Sequence, residues 1–203
     1  MNMKPYAESC EQNKDVIIDV IRPLLADVGV VLEIGSGTGQ HAVFFAEQMP
    51  HLVWHTSDRD DNHAGIRQWV DASGLANVRQ ALNLDVDQVD WPVLDCDVVF
   101  SANAVHIMGW SSVVNLFSGV GRLLSAGGLL ILYGPFNYQG EYTSESNRSF
   151  DVWLKQRDSV SGIRDFEALD QLANEQGMSL CGDYEMPANN RVLCWEMGDI
   201  HPR

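Results

Sequence analysis

The length, composition and charge of this chain narrow the kinds of protein that it can be. Its 203 residues, 45% of them hydrophobic and 20% charged, suit one globular domain with a sizeable core. Its formal net charge of -15, from 13 basic and 28 acidic side chains, disfavours a nucleic acid or an anionic membrane as partner, because both require a basic face.

The cysteines and the apolar runs bear on the cellular compartment. Cys10, Cys96, Cys181 and Cys194 stand singly, and three of them fall in apolar runs, so we expect neither a disulfide framework nor a zinc site. The first residues lack the apolar region of a signal peptide, and no apolar run approaches the roughly 18 residues of a membrane span. We therefore expect a cytoplasmic protein.

Residues 1–29 precede the first predicted strand. They begin polar and then carry an apolar stripe over 16–25, which predicts a helix that is interrupted by Pro23 and ended by Gly29. Asn13 lies in this region, either as a ligand contact or as an ordinary residue of the helix surface.

The chain then enters a glycine-rich turn. A β-branched, apolar run over 30–34 contains Glu33, and alternating glycines and a stretch of helical period follow it. This pattern predicts a strand, a tight turn and a helix start, in which Gly35, Gly37 and Gly39 let a ligand approach the backbone closely.

The spacing of these glycines separates two classes of ligand. The dinucleotide fingerprint G-x-G-x-x-G would place its third glycine at position 40, where the chain has Gln40. Glu33 would also repel a pyrophosphate, whereas it would attract a ligand that carries an ammonium group. An ordinary strand-to-helix turn without a ligand is the alternative.

The second predicted strand, 52–58, ends in Asp58, which lies 23 residues after the first glycine of the turn. In doubly wound folds, an acid at about this distance accepts hydrogen bonds from both hydroxyls of a ribose. An acid here would alternatively cap the helix predicted over 62–73. We assign Asp58 to the ribose and Asp60 or Asp61 to the cap.

Two further strands end in polar residues. The third, 78–86, carries Asp85 near its end, and the fourth, 97–103, leads through Asn103 to His106. Open α/β sheets carry out chemistry at the carboxyl ends of strands beside the topological switch point. His106 is therefore a candidate catalytic residue, and a structural histidine is the alternative.

The second half of the chain continues the alternation of helices and strands. The periodicity predicts helices over 113–124, 149–158 and 165–176, and strands over 129–133, 179–185 and 191–197. The last two strands are joined by the short turn 186–190, so they must form an antiparallel hairpin. The order of elements predicts an α/β fold: a doubly wound, mostly parallel seven-stranded sheet with an antiparallel C-terminal hairpin strand.

Residues 134–165 exceed a minimal version of this fold. They hold four of the 13 basic residues: Arg148, Lys155, Arg157 and Arg164. One interpretation is a lid that presents arginine to an anionic substrate. The other is surface electrostatics, in which Arg157 pairs with neighbouring acids.

Several motifs resemble those of known proteins. The pattern acid-x-G-x-G-x-G at 33–39 resembles the first motif of class I S-adenosylmethionine (SAM)-dependent methyltransferases. With Asn-x-x-His-Ile-x-x-Trp, Tyr-Gly-Pro-Phe, Thr-x-x-Ser-Asn, Gly-Ile-Arg-Asp and Met-Pro-Ala-Asn-Asn, it looks like the methyltransferase-like protein 26 family from about Pro5 to Trp195. The resemblance implies one SAM-binding methyltransferase domain over 1–203, with 1–29 as a helical cover and 134–165 as a lid-like insertion.

The resemblance also implies a set of site residues. Glu33 would hold the ammonium end of SAM, Asp58 the ribose, and Asp85 with Val86 the adenine. The full cofactor set is Glu33, Gly35, Ser36, Gly37, Gly39, His41, Asp58, Arg59, Asp85, Val86 and Asn103. The catalytic candidates are His106, whose imidazole titrates in the right range for a base, and Asn103. The candidate acceptor-binding residues are Asn13, Tyr138, Tyr142 and Arg164, and we expect no metal.

Methyl transfer from SAM to a small-molecule acceptor is thus the first functional hypothesis. A SAM-binding partner protein without catalysis is an alternative, because a fold does not guarantee an activity. An NAD-dependent oxidoreductase is a third, which the glycine spacing, Glu33 and the terminal hairpin disfavour. The sequence does not set the oligomeric state.

Overall fold

The structure is a computed structural model that describes residues 4–199. Residues 1–3 and 200–203, the ends of the predicted 1–203 domain, lie outside the described residues. The helices are α1 Glu8–Leu24, α2 Gln40–Gln48, α3 Asp60–Ser73, α4 Trp110–Leu123, α5 Glu145–Arg157 and α6 Phe166–Glu175. The strands are β1 Val30–Ile34, β2 Val53–Asp58, β3 Val78–Asn83, β4 Val98–Ala102, β5 Leu129–Gly134, β6 Phe136–Asn137, β7 Arg164–Asp165, β8 Met178–Met186 and β9 Asn190–Met197.

Seven of the strands form one sheet in the order β3-β2-β1-β4-β5-β9-β8. The pairs β1–β2, β1–β4 and β2–β3 are parallel, whereas β5–β9 and β8–β9 are antiparallel. The predicted fold class, a mostly parallel α/β sheet closed by an antiparallel C-terminal hairpin strand, is confirmed. A small parallel pair, β6–β7, was not predicted, because each of its strands is only two residues long.

The chain divides into two compact units, the first ending at Phe100. The first unit is centred on an aromatic cluster in which Phe45, Trp54 and Phe100 pack with ring centroids 5.4–5.7 Å apart. All three side chains are fully buried, and helix α1 adds Ile17 and Ile21 to this core. Burial of such large apolar surfaces is the main favourable contribution to folding.

The second unit, from Ser101, is built on β5 and the long β8–β9 hairpin. Fully buried Trp195 of β9 packs edge-on against Phe117 of α4 and donates its indole N–H to Asp170 of α6 at 2.9 Å. The hairpin turn is a 3-10 turn in which Ala188 and Asn189 adopt left-handed backbone conformations. The two predicted hairpin strands, 179–185 and 191–197, were correct in position and one or two residues too short.

Several element boundaries differ from the prediction, among them the starts of α3 and α4, which lie two and three residues before the predicted ones. Helix α1 runs through Pro23 and ends one residue later. Strand β3 ends at Asn83, so Asp85 and Val86 belong to the following loop. Helix α5 begins four residues before the predicted start because the Ser144 hydroxyl accepts a hydrogen bond from Asn147 N and caps it.

The predicted cap of α3 is also wrong. Asp60 and Asp61 lie within the first turn, where negative charge complements the helix dipole, and the N-cap position belongs to Arg59. The acid that satisfies the helix start is Asp58, whose Oδ1 accepts from Arg59 N at 2.8 Å and from Asn62 Nδ2 at 2.9 Å. Across residues 4–199, no helix combines the length and the apolar character needed to cross a membrane.

Candidate functional site

The glycine-rich turn joins β1 to α2, and its glycines serve two different purposes. Gly35, Gly37 and Gly39 all have positive φ angles, of 75°, 58° and 87°. A Cβ added at Gly37 would meet nothing within 4 Å, whereas one at Gly39 would lie 3.2 Å from the Cα atom of Ile66 in α3. Gly37 therefore borders open space, and Gly39 allows α2 to pack closely against α3.

Glu33 is a buried carboxyl group next to this turn. Its side chain is 2% exposed, and its Oε2 atom accepts hydrogen bonds from Ser36 Oγ at 2.8 Å and from Trp54 Nε1 at 3.3 Å. Burial, with a smaller contribution from the nearby Asp58 charge, raises the pKa of Glu33 to about 7 although the hydrogen bonds from Ser36 and Trp54 lower it. A carboxylate with neutral donors alone is poorly compensated, so a ligand ammonium group would find a favourable partner here.

Hydrogen bonds between the turn and the end of β2 hold the turn in place. The backbone N–H groups of Gly35 and Ser36 both donate to the carbonyl oxygen of Ser57 at 3.0 Å. In return, Ser57 Oγ donates to the Glu33 carbonyl at 2.7 Å, and Ser57 N donates to Ser36 Oγ at 3.2 Å. Ser36 is thus a structural part of the turn, and it also bonds the Glu33 carboxylate.

Asp58 closes the same region from β2. Its Oδ2 atom accepts from Gly37 N at 2.8 Å, in addition to the two bonds that its Oδ1 atom accepts at the start of α3. A carboxylate offers about four lone-pair positions, so these three bonds leave capacity for a ligand hydroxyl. Glu33, Gly37 and Asp58 are therefore brought together, as the sequence predicted for a cofactor site.

His41 and Asn13, which the sequence assigned to different ligands, bond each other. His41 Nε2 lies 2.7 Å from Asn13 Oδ1, both side chains are buried, and the imidazole stacks on Phe45 at 5.3 Å. Burial lowers the pKa of His41 to about 4, with a smaller contribution from Lys14, so the neutral ring donates to the amide. This pair fastens α1 to α2.

The N-terminal segment is fastened to the same elements by contacts that the sequence did not suggest. Ala7 N donates to Gln40 Oε1 at 2.5 Å, and Gln40 Nε2 donates back to Ala7 O at 3.4 Å. Trp69 Nε1 donates to Pro5 O at 2.6 Å, and a Cβ at Gly65 would come within 2.8 Å of the Pro5 ring. Gln40, the residue that breaks the dinucleotide fingerprint, is thus a structural anchor.

The remaining cofactor candidates of the first unit are less enclosed. Arg59 is exposed at the N-cap of α3. Asp85 and Val86 are half-buried in the loop after β3, where Asp85 Oδ1 accepts from Asp87 N at 3.0 Å. The ends of β1 and β2 are therefore rigidly built, and the loop after β3 carries its candidates on irregular backbone.

In the second unit, Asn103 and His106 follow β4 and face one glycine. Asn103 has a left-handed backbone with φ 56°, and its N–H donates to Tyr133 O at 2.8 Å. A Cβ at Gly134 would lie 3.5 Å from His106 Nδ1 and 3.9 Å from Asn103 Oδ1. The two catalytic candidates are therefore neighbours, and a Cβ at position 134 would make ordinary van der Waals contact with both.

His106 does not have the proton affinity that was expected from its residue type. It is 5% exposed, and its ring meets Phe150 edge to face at 5.4 Å. Burial, with a smaller contribution from the charge of Arg164, lowers its pKa to about 4. The expectation of titration near neutral pH is therefore wrong for this environment: His106 is a neutral hydrogen-bonding group at pH 7.

Arg164 is used to hold the 105–108 turn that carries His106. Its guanidinium donates to the carbonyl oxygens of Val105 at 3.2 Å, of Val160 at 2.9 Å and of Met108. The adjacent Gly162 N donates to His106 O at 2.9 Å. The Gly-Ile-Arg-Asp motif thus clamps the turn of the Asn-x-x-His motif.

The two candidate tyrosines bond carboxylates through their hydroxyl groups. Tyr142 donates to Asp151 at 2.7 Å, and Tyr138 donates to Asp183 at 2.9 Å. Asp151 is 1% exposed and also accepts from Ile163 N at 2.8 Å and Lys155 Nζ at 2.6 Å. No sequence pattern indicates this buried role, because Asp151 occupies an ordinary position of a polar helix.

Two further motifs from the sequence meet at one joint. Asn147 Nδ2 donates to Thr143 Oγ1 at 2.9 Å and to the carbonyl oxygen of Asn189 at 3.1 Å. Asn189 Nδ2 donates in turn to Ser146 Oγ at 3.2 Å. The Thr-x-x-Ser-Asn and Met-Pro-Ala-Asn-Asn motifs therefore connect the start of α5 to the hairpin turn.

In the described part of the chain, no group of three or more His, Cys, Asp or Glu side chains is arranged to hold a metal ion.

Comparison with known proteins places this chain in a family. The family model described as "Protein of unknown function (DUF938)" matches residues 4–197. The chain belongs to this family. The family description assigns no activity, so the DUF938 match shows family membership, and the reaction has to be inferred from the site.

Solved structures similar to this DUF938 chain include methyltransferases. The S-adenosylmethionine-dependent methyltransferase SibL in its apo form has 19% identity and a TM-score of 0.78 over 94% of this chain and 56% of its own. Human N-acetylserotonin methyltransferase in complex with SAM has 13% identity and a TM-score of 0.79 over 94% and 53%. An O-methyltransferase family protein from Burkholderia thailandensis has 12% identity and a TM-score of 0.74 over 94% and 60%. The chain spans little more than half of these proteins, which share the class I methyltransferase fold with it.

Proposed function

We propose that this chain is a SAM-dependent methyltransferase that acts on a small molecule. The observation that carries the proposal is the arrangement of Glu33, Gly37 and Asp58: a buried carboxyl group, an open backbone turn and a second carboxylate. These groups match, in that order, the ammonium group, the aliphatic chain of the methionine moiety and the ribose diol of SAM. The fold shared with methyltransferases and the resemblance to the methyltransferase-like protein 26 family support the same cofactor.

The first unit would bind SAM as follows. Glu33, ionised, would bond the ammonium group of the methionine moiety, and Gly35, Gly37 and Gly39 would admit the chain of the cofactor along the turn. Asp58 would accept from the ribose hydroxyls, and Asp85 with Val86 would contact the adenine. Ser36 would act indirectly by fixing Glu33, and His41 by fixing the start of α2. Arg59 and Asn103 would contact the cofactor directly.

SAM supplies an activated methyl group on a sulfonium. Held by Glu33 and Asp58, this methyl group would be open to a nucleophile of the acceptor, and an acceptor that begins protonated would also have to lose a proton. The protein then needs chiefly to align the acceptor, and positioning of this kind lowers barriers by about 7–11 kcal/mol. His106 and Asn103 are the residues that we propose for this task.

The second unit favours a methyl acceptor that is uncharged and that can donate a hydrogen bond. Within residues 4–199, buried His106 Nδ1 and buried Asn137 Oδ1 have no hydrogen-bond partner, and such atoms in native proteins call for an explanation. Asn137 Oδ1 accepts hydrogen bonds, and the Nδ1 atom of neutral His106 accepts one in the tautomer that carries its proton on Nε2. Arg164 donates to three backbone carbonyls, which argues against its role as an anion receptor. A hydroxyl or neutral amine therefore suits this site better than a carboxylate or phosphate.

Several parts of the proposal extend beyond these contacts. We propose that four residues contribute to acceptor binding by positioning the elements around the acceptor: Asn13, Tyr138, Tyr142 and Arg164. The single methyltransferase domain over 1–203, the cover at 1–29 and the lid at 134–165 are likewise proposed, as are a cytoplasmic location and the absence of nucleic-acid and membrane partners.

Ligand binding followed by turnover tests the proposed function. S-adenosylhomocysteine should raise the melting temperature and bind in calorimetry, whereas NAD should do neither. A thermal response to NAD alone would contradict the cofactor assignment. His106→Ala should lose methyl transfer to a panel of phenols, alcohols and amines while it keeps its affinity for S-adenosylhomocysteine.

A second candidate is a SAM-binding protein without catalysis. The low proton affinity of His106 favours it, because a histidine with a pKa of about 4 is a weak base at neutral pH. Tight binding of S-adenosylhomocysteine without methylation of any member of a broad metabolite panel would select this alternative.

A further inference from the structure

Two cysteines face each other across the C-terminal hairpin formed by β8 and β9. Strands β8 and β9 pair in antiparallel register except between Leu180 and Gly182, where the register shifts and Gly182 pairs with Cys194. Cys181 is the extra residue of this irregularity. Its Sγ atom lies 3.2 Å from Cys194 Sγ and 3.3 Å from the Cys194 carbonyl oxygen.

The two thiols differ in access. Cys181 is exposed, whereas Cys194 is fully buried in β9, and both are free. Neighbouring antiparallel strands hold their Cα atoms within the range that a disulfide spans, and closing the bond requires the sulfurs to approach by about 1 Å, to roughly 2.05 Å. An irregularity that bends one strand makes such a movement possible without loss of the flanking pairs.

The surface beside Cys181 can receive a small reagent. A shallow depression of about 390 Å³ is lined by Cys181 and by residues of both strands and of the turn before β5, with Glu196 and Asp199 at its acidic side. This depression gives room for the organic part of a small disulfide. Its carboxylates favour uncharged or cationic reagents over anionic ones.

We propose that Cys181 and Cys194 form a reversible redox pair, in which a low-molecular-weight, uncharged or cationic disulfide modifies Cys181 and Cys194 then displaces the adduct. The Cys181 thiolate attacks one sulfur of the reagent, whose sulfur–sulfur bond breaks and releases one thiolate. Cys194 gives its proton to water and attacks Cys181 Sγ, which releases the second thiolate. Two protein thiols are oxidised to one disulfide, and the reagent disulfide is reduced to two thiols.

The order of attack follows from the surroundings of each sulfur. Cys194 is enclosed, and burial and the neighbouring Cys181 raise its pKa, so its thiolate is rare and the exposed Cys181 reacts first. The other two cysteines lie in the first unit. Cys96 is buried, and Cys10 is half-buried in helix α1, where burial and the Glu33 charge raise its pKa to about 11. Neither has a described thiol neighbour at the Cys181–Cys194 distance.

The test uses the folded full-length protein and 2-hydroxyethyl disulfide, with the remaining thiols blocked by N-ethylmaleimide. Trypsin cuts after Arg164 and Arg191, so Cys181 and Cys194 fall in separate peptides, 165–191 and 192–203. Mass spectrometry should find these two peptides joined, and dithiothreitol should separate them. Glutathione disulfide, which is anionic, should react at least several-fold more slowly.

Variants separate the two steps. Cys194→Ala should stop at a mixed disulfide on Cys181, Cys181→Ser should leave Cys194 unmodified, and Cys10→Ser, the matched control, should behave like the wild type. Circular dichroism verifies that each variant is folded. If Cys194→Ala does not fold, the peptide analysis of the wild-type protein still tests the proposal. A wild-type protein that keeps a stable adduct on Cys181, or in which Cys181 reacts no faster than Cys10, would overturn the proposal.

Discussion

At the scale of single residues, the ionisation of Glu33 sets a condition on cofactor binding. The carboxyl group must lose its proton to hold an ammonium group, and its pKa of about 7 in the ligand-free protein leaves it only partly ionised near neutral pH. Affinity for S-adenosylhomocysteine should therefore rise about tenfold between about pH 6 and about pH 8, as the ionised fraction rises from roughly one-tenth to nine-tenths. Isothermal titration calorimetry across this range measures it.

The control for this prediction is Glu33→Gln. This variant keeps the size of the side chain and removes its titration, so it should bind weakly and with no pH dependence over the same interval. A wild-type affinity that does not change with pH would show that Glu33 does not contact the ammonium group.

Gly37 offers a second test at the residue scale. Gly37→Ala would place a methyl group in the open space of the turn, and Gly74→Ala would place one in open space at the end of α3. Both glycines have left-handed backbones, with φ 58° and 65°, so both substitutions carry a similar strain of about 1 kcal/mol. Only Gly37→Ala should lose S-adenosylhomocysteine binding, by tenfold or more in calorimetry. Equal affinities of the two variants would remove Gly37 from the proposed cradle.

At the scale of elements, Asp151 connects α5 to the segment that clamps the His106 turn. Its carboxylate accepts from Tyr142, Lys155 and Ile163 N while almost fully buried. Asp151→Asn places an amide N–H₂ where a donor already points, so it should lower the free energy of unfolding by about 2–3 kcal/mol. Urea denaturation measures this loss.

The same helix provides the matched control. Glu145 pairs with Arg148 at an exposed position, so Glu145→Gln should change the free energy of unfolding by less than about 0.5 kcal/mol. If Asp151→Asn costs no more than Glu145→Gln, the buried network contributes nothing to the stability of the second unit.

The sequence predicted those elements whose apolar period is long and uninterrupted. Strands β1, β2, β4 and β5 and the terminal hairpin were placed correctly, because burial alone dictates their pattern. The pair β6–β7 and the cap of α3 were not, because two-residue strands have no period and because Asp58 and Asp60 are chemically the same residue at a helix start.

The candidate site was predictable to the extent that chemistry follows residue type. The spacing predicted Glu33 and Asp58 near the ends of β1 and β2 and Gly37 in the turn after β1, and the structure brings the three together. The partners of Arg164 could not be predicted, because its three carbonyl acceptors are backbone atoms that carry no signal in the sequence. The low pKa of His106 depends on burial, which a single histidine in a sequence does not reveal.

At the scale of the whole molecule, three buried ionisable groups set how stability depends on pH. The pKa values of His41 and His106 are lowered to about 4 in the folded protein from about 6.5 in the unfolded chain. Their contribution is present above pH 6.5 and is lost as pH falls towards 4. The pKa of Glu33 is raised from about 4.5 to about 7, so its contribution is present below pH 4.5 and is lost as pH rises through 7.

These opposing contributions predict the sign of a pH series. Between about pH 7.5 and about pH 5, the two histidines together lose about 4 kcal/mol and Glu33 gains about 2 kcal/mol, a net loss of about 1–2 kcal/mol. Glu33→Gln removes the gain, so its free energy of unfolding should fall by about 4 kcal/mol over the same interval. Urea denaturation at both pH values measures each loss. A Glu33→Gln variant that loses no more stability than the wild type on acidification would mean that Glu33 is already ionised in the folded chain at pH 5.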